Sequence, residues 1–553
     1  MERRAFLAWS AAAGATAVAG PAAFLRWQEI APVLHYPGLE EGHFLRRGGR
    51  LPPPSEVIET DIVILGSGVA AVSAAWKLGR AGHKDALMID GPEPFGNAAG
   101  GRFGELAYPT GAHYLPLPTP ESVHVREILA DLGLLAGDAL AEAPSYDERY
   151  LLHGPAERIL VAGQWQEGML PTEGLAPSEL AEQHRFFGEM ERIGALRGAD
   201  GRRFFVLPAQ HGSTDPAWDQ LDALTFKQWL EQNNFRAPSL HWYADYGCRD
   251  DYGTGYEHVS AWAGLHYFCC RAGAKAANAG EGALLTWPGG LSELVGAMAQ
   301  RSGVARRRGS AAKLRKVDGG VEVLCFALEG GVARTWLVKA RKAICAMPLQ
   351  VAARVVESIG DYGFDPALHM PVYAPWMVAN FLMKDFPTEL PAAPLSWDNV
   401  VYDGARAGSE GAQGPAQGLA QGLGYVVSTH QDIRVRPPEK TVFSAYVALT
   451  GRSPQEARRW LARAGADELV ALAGADLKAA YGINFAPCVE RVEITLRGHA
   501  MAAPLPGFRR NAGLAALREA DGAVLFAHAD LSGFSLFEEA AWWGCRAAER
   551  ALV

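Results

Sequence analysis

Asp61-Ile62-Val63-Ile64-Leu65 is a short, apolar, β-branched run, the composition of a buried parallel strand. It enters Gly66-Ser67-Gly68-Val69-Ala70-Ala71, a GxGxxA turn, and continues through Trp76, Leu78 and Gly79 as an amphipathic helix. Gly66 makes the tight turn, Gly68 lets the backbone approach a pyrophosphate, and small Ala71 lets helix pack close on strand. Phosphates then meet a helix N-terminus, where free N–H groups and the helix dipole favour anions. A second strand, Ala86 to Asp90, ends in a carboxylate 19 positions after Ala71, placed to accept hydrogen bonds from an adenosine ribose. Strand, turn, helix, strand and terminal acid in this order predict an α/β, Rossmann-like domain with a bound dinucleotide.

Around that fingerprint, 553 residues at 49% hydrophobic and 20% charged describe a globular chain with a large core. Such a core needs no disulfide or metal staple. The net charge of -9, with no basic stripe, excludes nucleic acid as a partner, because that affinity rests on counterion release by Lys and Arg. The seven cysteines show no CxxC and no zinc spacing, so no metal site is expected. Cys325 and Cys345 lie among apolar neighbours and read as buried thiols, and Cys269-Cys270 reads as plain burial rather than a redox pair. At the N-terminus Arg3-Arg4 precedes Ala5-Phe6-Leu7, and Ala8 to Leu25 is apolar but rich in Ala and Gly. This resembles a twin-arginine signal, the export route for proteins that fold first. It implies the export machinery as a partner and an exported or periplasmic chain. Either Ala17-Val18-Ala19 is cleaved or the segment stays as an anchor.

Past Asp90 come Gly100-Gly101-Arg102-Phe103 and then Tyr108-Pro-Thr-Gly111-Ala112-His113-Tyr114. Here the chain resembles the flavin-containing amine oxidase superfamily, which includes monoamine and polyamine oxidases. The resemblance implies FAD as cofactor, Gly100, Gly101 and Arg102 beside its pyrophosphate, and Gly111 and Ala112 near the isoalloxazine. Three further stretches keep the family's order. Trp287-Pro-Gly-Gly-Leu-Ser-Glu-Leu294 looks like the glycine turn into a cofactor-domain helix. Lys342-Ala-Ile-Cys-Ala-Met-Pro348 looks like the strand returning to the flavin. Val524-Leu-Phe-Ala-His528-Ala-Asp530 looks like the last strand, with Asp530 at the position that holds the ribityl or phosphate part. Ser535 and Glu538 have capping-box spacing, so the final helix is expected to open at Ser535 and Leu536. Its N-terminus would face the flavin pyrimidine edge.

The implied fold interleaves a FAD-binding domain (60–114, 281–349, 496–553) with an α+β substrate domain (115–280, 350–495), after a signal (1–30) and a linker (31–59). Residues 404–424, rich in Gly, Ala and Gln, read as a flexible loop. His241 to Cys270 is dense in aromatics, and Trp262 and His266, four apart, share a helix face. His499, in Arg497-Gly498-His499, and His528 are the candidate catalytic residues, able to handle protons at the ring. Many amine oxidases place a Lys near the flavin on the strand after Ala-x-Pro; Trp376 to Asn380 has none, and Lys384 is too far along. The leading reading is an oxidoreductase taking a hydride onto flavin N5 from a small organic substrate, an amine or polyamine among them. Oxygen or a periplasmic carrier would be the electron acceptor. A desaturase or isomerase of an apolar substrate, and a flavin-bound binding or assembly protein, stay open as alternatives, as does a homodimer.

Overall fold

The computed structural model describes residues 30–153, 156–390, 394–402, 421–431 and 438–553. The twin-arginine segment and residues 404–420 of the expected loop lie outside them. In chain order the strands are β1 (Val33–His35), β2 (Val57–Leu65), β3 (Ala86–Ile89), β4 (Gly100–Phe103), β5 (Leu106–Pro109), β6 (Tyr114–Pro116), β7 (Leu135–Ala136) and β8 (Ser145–Tyr146). Then come β9 (Glu157–Val161), β10 (Gln164–Glu167), β11 (Leu284–Thr286), β12 (Ala305–Arg307), β13 (Ser310–Val317), β14 (Gly320–Glu329) and β15 (Val332–Cys345). The last six are β16 (Tyr373–Met383), β17 (Asp398–Val401), β18 (Gln421–Val427), β19 (Thr441–Ala448), β20 (Val489–Ala502) and β21 (Val524–Phe526).

One sheet is the Rossmann-like layer. Its strands β12, β3, β2, β15 and β21 run parallel, with β14 and β13 added antiparallel beside β15. Strand β15 serves two neighbours on one side: Val332 to Ala340 pairs with β14, and Ala343 to Cys345 with β21. Ile62 to Leu65 are wholly buried, as a strand covered on both faces requires. Three helices cover one face of this sheet: the dinucleotide helix (Val69–Arg80), Leu291–Ser302 and the C-terminal helix (Phe537–Leu552). They approach closely because glycines stand where they touch. A Cβ on Gly79 would lie 2.1 Å from the Ser302 carbonyl oxygen, and one on Gly544 2.1 Å from that of Ala70.

The second sheet has the order β1-β20-β16-β19-β18-β17-β9-β10. Every residue of β16 and β19 is buried. Side chains alternate across a strand. Met377, Ala379, Phe381 and Met383 of β16 therefore pack on one face, against the helices between 454 and 481, while Trp376 and Val378 join Tyr246, Trp397 and Tyr446 on the other. On that second face Asn380 donates to the Pro109 carbonyl (3.0 Å), and Leu382 packs on Phe103 and Tyr108. The second sheet thus grips the β4–β5 hairpin of the Rossmann-like side.

Several expected boundaries move. Residues 31–59 are not a plain linker: β1 pairs in parallel with β20, a helix spans Leu39–Arg46, and β2 begins at Val57. Strand β20 runs through the expected break at 495/496 to Ala502, because its pairing with β16 continues to Tyr373. Helix Val123–Asp131 packs on the Rossmann-like layer, where Val125, Ile128 and Leu129 form an apolar stripe buried in its core. Residues 421–424 are strand β18 rather than loop. Among the described residues no helix is long and apolar enough to cross a membrane.

Candidate functional site

Gly68 opens the dinucleotide helix in extended backbone, with no side chain capping it. A Cβ there would meet only the Phe95 carbonyl oxygen, at 4.0 Å, so the helix end has an open side. Gly66 has φ 113 and its Cβ would lie 3.0 Å from the Ala346 oxygen, so only glycine fits. Ala71 is wholly buried. The Ser67 hydroxyl donates to the Asp90 carbonyl and accepts from the Phe95 amide (3.4 Å), tying the turn to the loop after the ribose acid. Asp90 stands at the end of β3 as expected, with Arg306 Nε donating to its carboxylate (3.0 Å). The Arg306 guanidinium also lies over the Phe95 ring, 5.1 Å from its centroid.

The tripeptide Gly100-Gly101-Arg102 is placed differently from the expectation. It forms strand β4, and its glycines are needed for packing: Cβ atoms would fall 2.5 Å from Ser292 Oγ and from the Tyr108 ring. Arg102 donates to the carbonyls of Gly104 and Glu105 (3.3 and 2.8 Å), closing the hairpin turn rather than reaching the open helix end. Gly96 stands there instead, at φ 56, its Cβ position 3.8 Å from the Gly68 Cα. Gly111 packs on this loop, where a Cβ would lie 2.1 Å from the Asn97 oxygen. The Ala112 amide donates to Asn97 O (2.7 Å), and the Ala112 carbonyl accepts from Leu291 (3.1 Å). The loop at 96–97, the turn at 111–112 and the Trp287–Leu294 segment therefore meet at one place.

Asp530 is wholly buried. Its Oδ2 accepts from the Leu349 amide (3.0 Å) and from the Tyr373 hydroxyl (2.5 Å). Burial pushes the carboxyl up, but His528, Tyr373 and the Leu349 amide outweigh it and hold it below the usual carboxylate range. Oδ1 has no hydrogen-bond donor. His528 Nδ1 lies 3.2 Å from it: with that nitrogen unprotonated it accepts from the Asp530 amide (3.1 Å) and leaves Oδ1 open, whereas a protonated ring turns its charge on the carboxylate. A buried acceptor without a donor costs stability unless a ligand hydroxyl supplies one, so the site fits a polyhydroxylated chain. His499 lies beside the same Tyr373, ring centroids 6.1 Å apart; it is exposed to solvent, and partial desolvation with the charges of Arg458 and Arg354 lowers its pKa. The two histidines thus gather around Tyr373 and Asp530. The C-terminal helix begins at Phe537, with Leu536 as N-cap and no side-chain cap. Ser535 does not form the expected capping box, because its hydroxyl faces the Ala502 amide (3.4 Å). That helix end keeps its N–H groups for another partner.

A second constellation had no signal in sequence spacing. His113, next to the turn at 111–112, sits among Tyr446, Tyr114 and Trp397, with ring centroids at 4.5, 4.9 and 5.5 Å. Burial pushes its pKa down to about 3, so the ring is neutral. The Tyr446 hydroxyl donates to the Gly111 carbonyl (3.1 Å), joining this aromatic box to the turn. Asp250 and Asp398 act on Tyr114 and Tyr446 of the same box, and Glu157 lies beyond them, acting on Asp398 and Tyr243. Each stays partly accessible, yet the surrounding protein raises all three carboxyls, Asp250 to about 7 and Asp398 well above its ordinary value. Burial is the main cause, and mutual repulsion adds for Asp398, whose neighbours are Glu157 and Asp250. Asp398 and Glu157 are directly paired across β17 and β9. Tyr114, Tyr243, Tyr246 and Tyr267 feel the Asp250 charge and complete an acidic, aromatic cluster. Trp262 and His266 do share a helix face, stacked at 4.9 Å, but they are buried with Phe205, Phe508 and Phe534 and form core. Lys384 lies just past the β16 end that pairs with Val489, eight residues from Trp376 and so roughly 26 Å along the strand.

By sequence, residues 64–132 match the family model of an NAD(P)-binding Rossmann-like domain. No curated protein matches the chain. Among solved structures, wild-type putrescine oxidase bound to putrescine superposes with a TM-score of 0.59 at 16% identity, over 89% of this chain and 99% of its own. Cyclohexylamine oxidase from Brevibacterium oxydans IH-35A gives 0.55 at 16%, over 89% and 98%. A CLA-producing fatty acid isomerase from P. acnes gives 0.57 at 15%, over 89% and 99%. The chain has the fold these proteins share, a Rossmann-like domain interleaved with a second sheet domain.

Proposed function

We propose that this chain is a FAD-dependent oxidoreductase whose substrate is a cationic amine with more than one ammonium group. The observation that carries the reading is the cluster beside the turn at 111–112, where the carboxyls of Asp250, Asp398 and Glu157 gather with tyrosine rings. Two carboxyls side by side on adjacent strands repel when both are ionised, and a cation between Asp398 and Glu157 would remove that cost. Tyrosine and tryptophan faces favour the same ligand through cation–π attraction. An apolar substrate would instead desolvate three carboxyl groups without a partner, at about 1–3 kcal/mol each. That weighs against the isomerase-like alternative.

FAD would be held by Gly66, Gly68 and Gly96 at its pyrophosphate, Asp90 at its adenosine ribose, Asp530 at its ribityl hydroxyls, and the uncapped C-terminal helix at its pyrimidine edge. When bound, it supplies the two-electron acceptor, which takes a hydride at N5. The chain's own residues do the rest. An amine loses hydride from its α-carbon only once its nitrogen is neutral, and Asp250, titrating near 7, can hold the proton the ammonium gives up. Asp398 and Glu157 hold a distal ammonium and so set which carbon is presented. His113, Trp397 and Tyr446 exclude water from the reacting end. The same reading has the chain exported already folded, with oxygen or a periplasmic carrier as final acceptor.

The experiment is anaerobic mixing of the yellow protein with monoamines, diamines and polyamines. Bleaching of the flavin band by putrescine or spermidine, but not by butylamine, supports the proposal. Isomerisation of an unsaturated fatty acid without amine-driven bleaching would move the assignment to the isomerase class.

A further inference from the structure

We propose that Arg497 is a positioning residue for the cofactor, fastening the loop that carries Gly96 onto the substrate sheet; this rests on the FAD reading above. Arg497 stands on β20 opposite Trp376, with its side chain 9% exposed. Its Nη2 donates to Glu93 Oε1 (2.5 Å) and its Nε to Oε2 (3.3 Å), a forked grip on a carboxylate in the loop after Asp90. Nη1 donates to the Thr110 carbonyl, one residue before Gly111. Three residues along the same strand, the Ala500 carbonyl accepts from Asn97 Nδ2 (2.6 Å). One strand of the substrate sheet therefore holds the loop on both sides of Phe95 and Gly96.

Those two residues both lie in the left-handed region, at φ 69 and φ 56. For a phenylalanine this is a strained conformation, which persists only where its surroundings impose it. Ser67 and Arg306 hold Phe95 from the Rossmann-like side, and Arg497 and the Ala500 carbonyl hold Glu93 and Asn97, on either side of it, from β20. The strand continues to Met501, which packs with Trp376 and Tyr446 at the aromatic cluster. Arg497 thus sets the register between the cofactor's phosphate side and the cluster that faces the substrate.

The test uses the full chain stripped of flavin, with FAD as the probe. Binding is followed by quenching of flavin fluorescence, and the melting temperature of the flavin-free protein is recorded in parallel. Arg497→Met is expected to weaken FAD binding at least about tenfold. Arg497→Lys, which keeps the charge but not the fork, is expected to recover part of the loss. Glu93→Gln should weaken binding as well, and the double variant should be no worse than Arg497→Met, because the two act through one contact. If Arg497→Met does not fold, Asn97→Ala and Glu93→Gln carry the same expectation. Wild-type FAD affinity in these variants overturns the proposal, as does a loss that only tracks a lower melting temperature of the flavin-free protein. A wild-type chain that binds no FAD overturns the cofactor reading, and this inference with it.

Discussion

Asp250→Asn should make the protein more stable at alkaline pH while making it a poorer receptor for a polyamine. The Asp250 carboxyl titrates near 7 in the folded chain, against roughly 3.9 in an unfolded one. Between those values the unfolded chain has already released the proton that the folded cluster keeps. Each pH unit in that window therefore costs the folded state about 1.4 kcal/mol, and the cost levels off above pH 7. The full penalty at pH 8 is at most about 4 kcal/mol, of which at most about 2.7 kcal/mol accrues between pH 5 and pH 8. Asparagine has no proton to lose, so urea unfolding should show the variant gaining on the wild type from pH 5 to pH 8, with an unchanged slope. A bound ammonium reverses the balance by stabilising the ionised acid. Calorimetric titration of the wild type with spermidine at pH 6, in buffers of different ionisation enthalpy, should detect more proton release than from the variant, in which only Asp398 and Glu157 remain to give one up. Spermidine affinity should also fall at least about tenfold, the scale of one lost charge-assisted contact. An equal stability difference at both pH values, or unchanged spermidine affinity, would refute the reasoning.

Gly68→Val should abolish flavin retention and leave the melting temperature of the flavin-free protein nearly unchanged, because its Cβ has open space on the protein side. Gly544→Val is the contrast: its side chain would collide with the Ala70 carbonyl, and calorimetry should show a loss of about 3 kcal/mol, the upper end of the usual overpacking range. Arg102→Ala should leave FAD affinity within about twofold, since its bonds are to its own hairpin turn. Asp530→Asn, measured by the same flavin titration, should cost about 1.5–3 kcal/mol of FAD affinity, the range for a hydrogen bond to a charged group.

The cofactor half was legible because its signals are local. A strand that must be apolar, a turn that must be glycine and a helix that must start small stand together within Asp61 to Ala71, and the fold keeps them together. The same residue types misled where a neighbour claimed them. Gly100-Gly101-Arg102 has the composition expected beside phosphates, yet pairing of β4 with β5 draws it into a hairpin, while Gly96, six residues after Asp90, takes the place by the helix. Ser535 and Glu538 have cap spacing, but Ser535 turns to β20 and the helix opens one residue beyond Leu536. The acidic cluster could not be read at all. Glu157, Asp250 and Asp398 are separated by long stretches of chain, and only the strand order β17-β9 and the helix Pro238–Tyr252 bring them together. His113 was in view beside the glycine turn, and its importance rests on Trp397 and Tyr446, which arrive from the other domain.

The central claim is that the open helix end at Gly68 and the orphaned oxygen of Asp530 hold one FAD. Releasing the bound small molecules from the gently purified full chain by denaturation, and identifying them by mass spectrometry, tests this most directly. The account predicts FAD in about equimolar amount to the chain, or taken up to that level on reconstitution, as expected of a single dinucleotide fingerprint. A chain that yields only a nicotinamide dinucleotide, or that stays colourless after incubation with FAD, would contradict it.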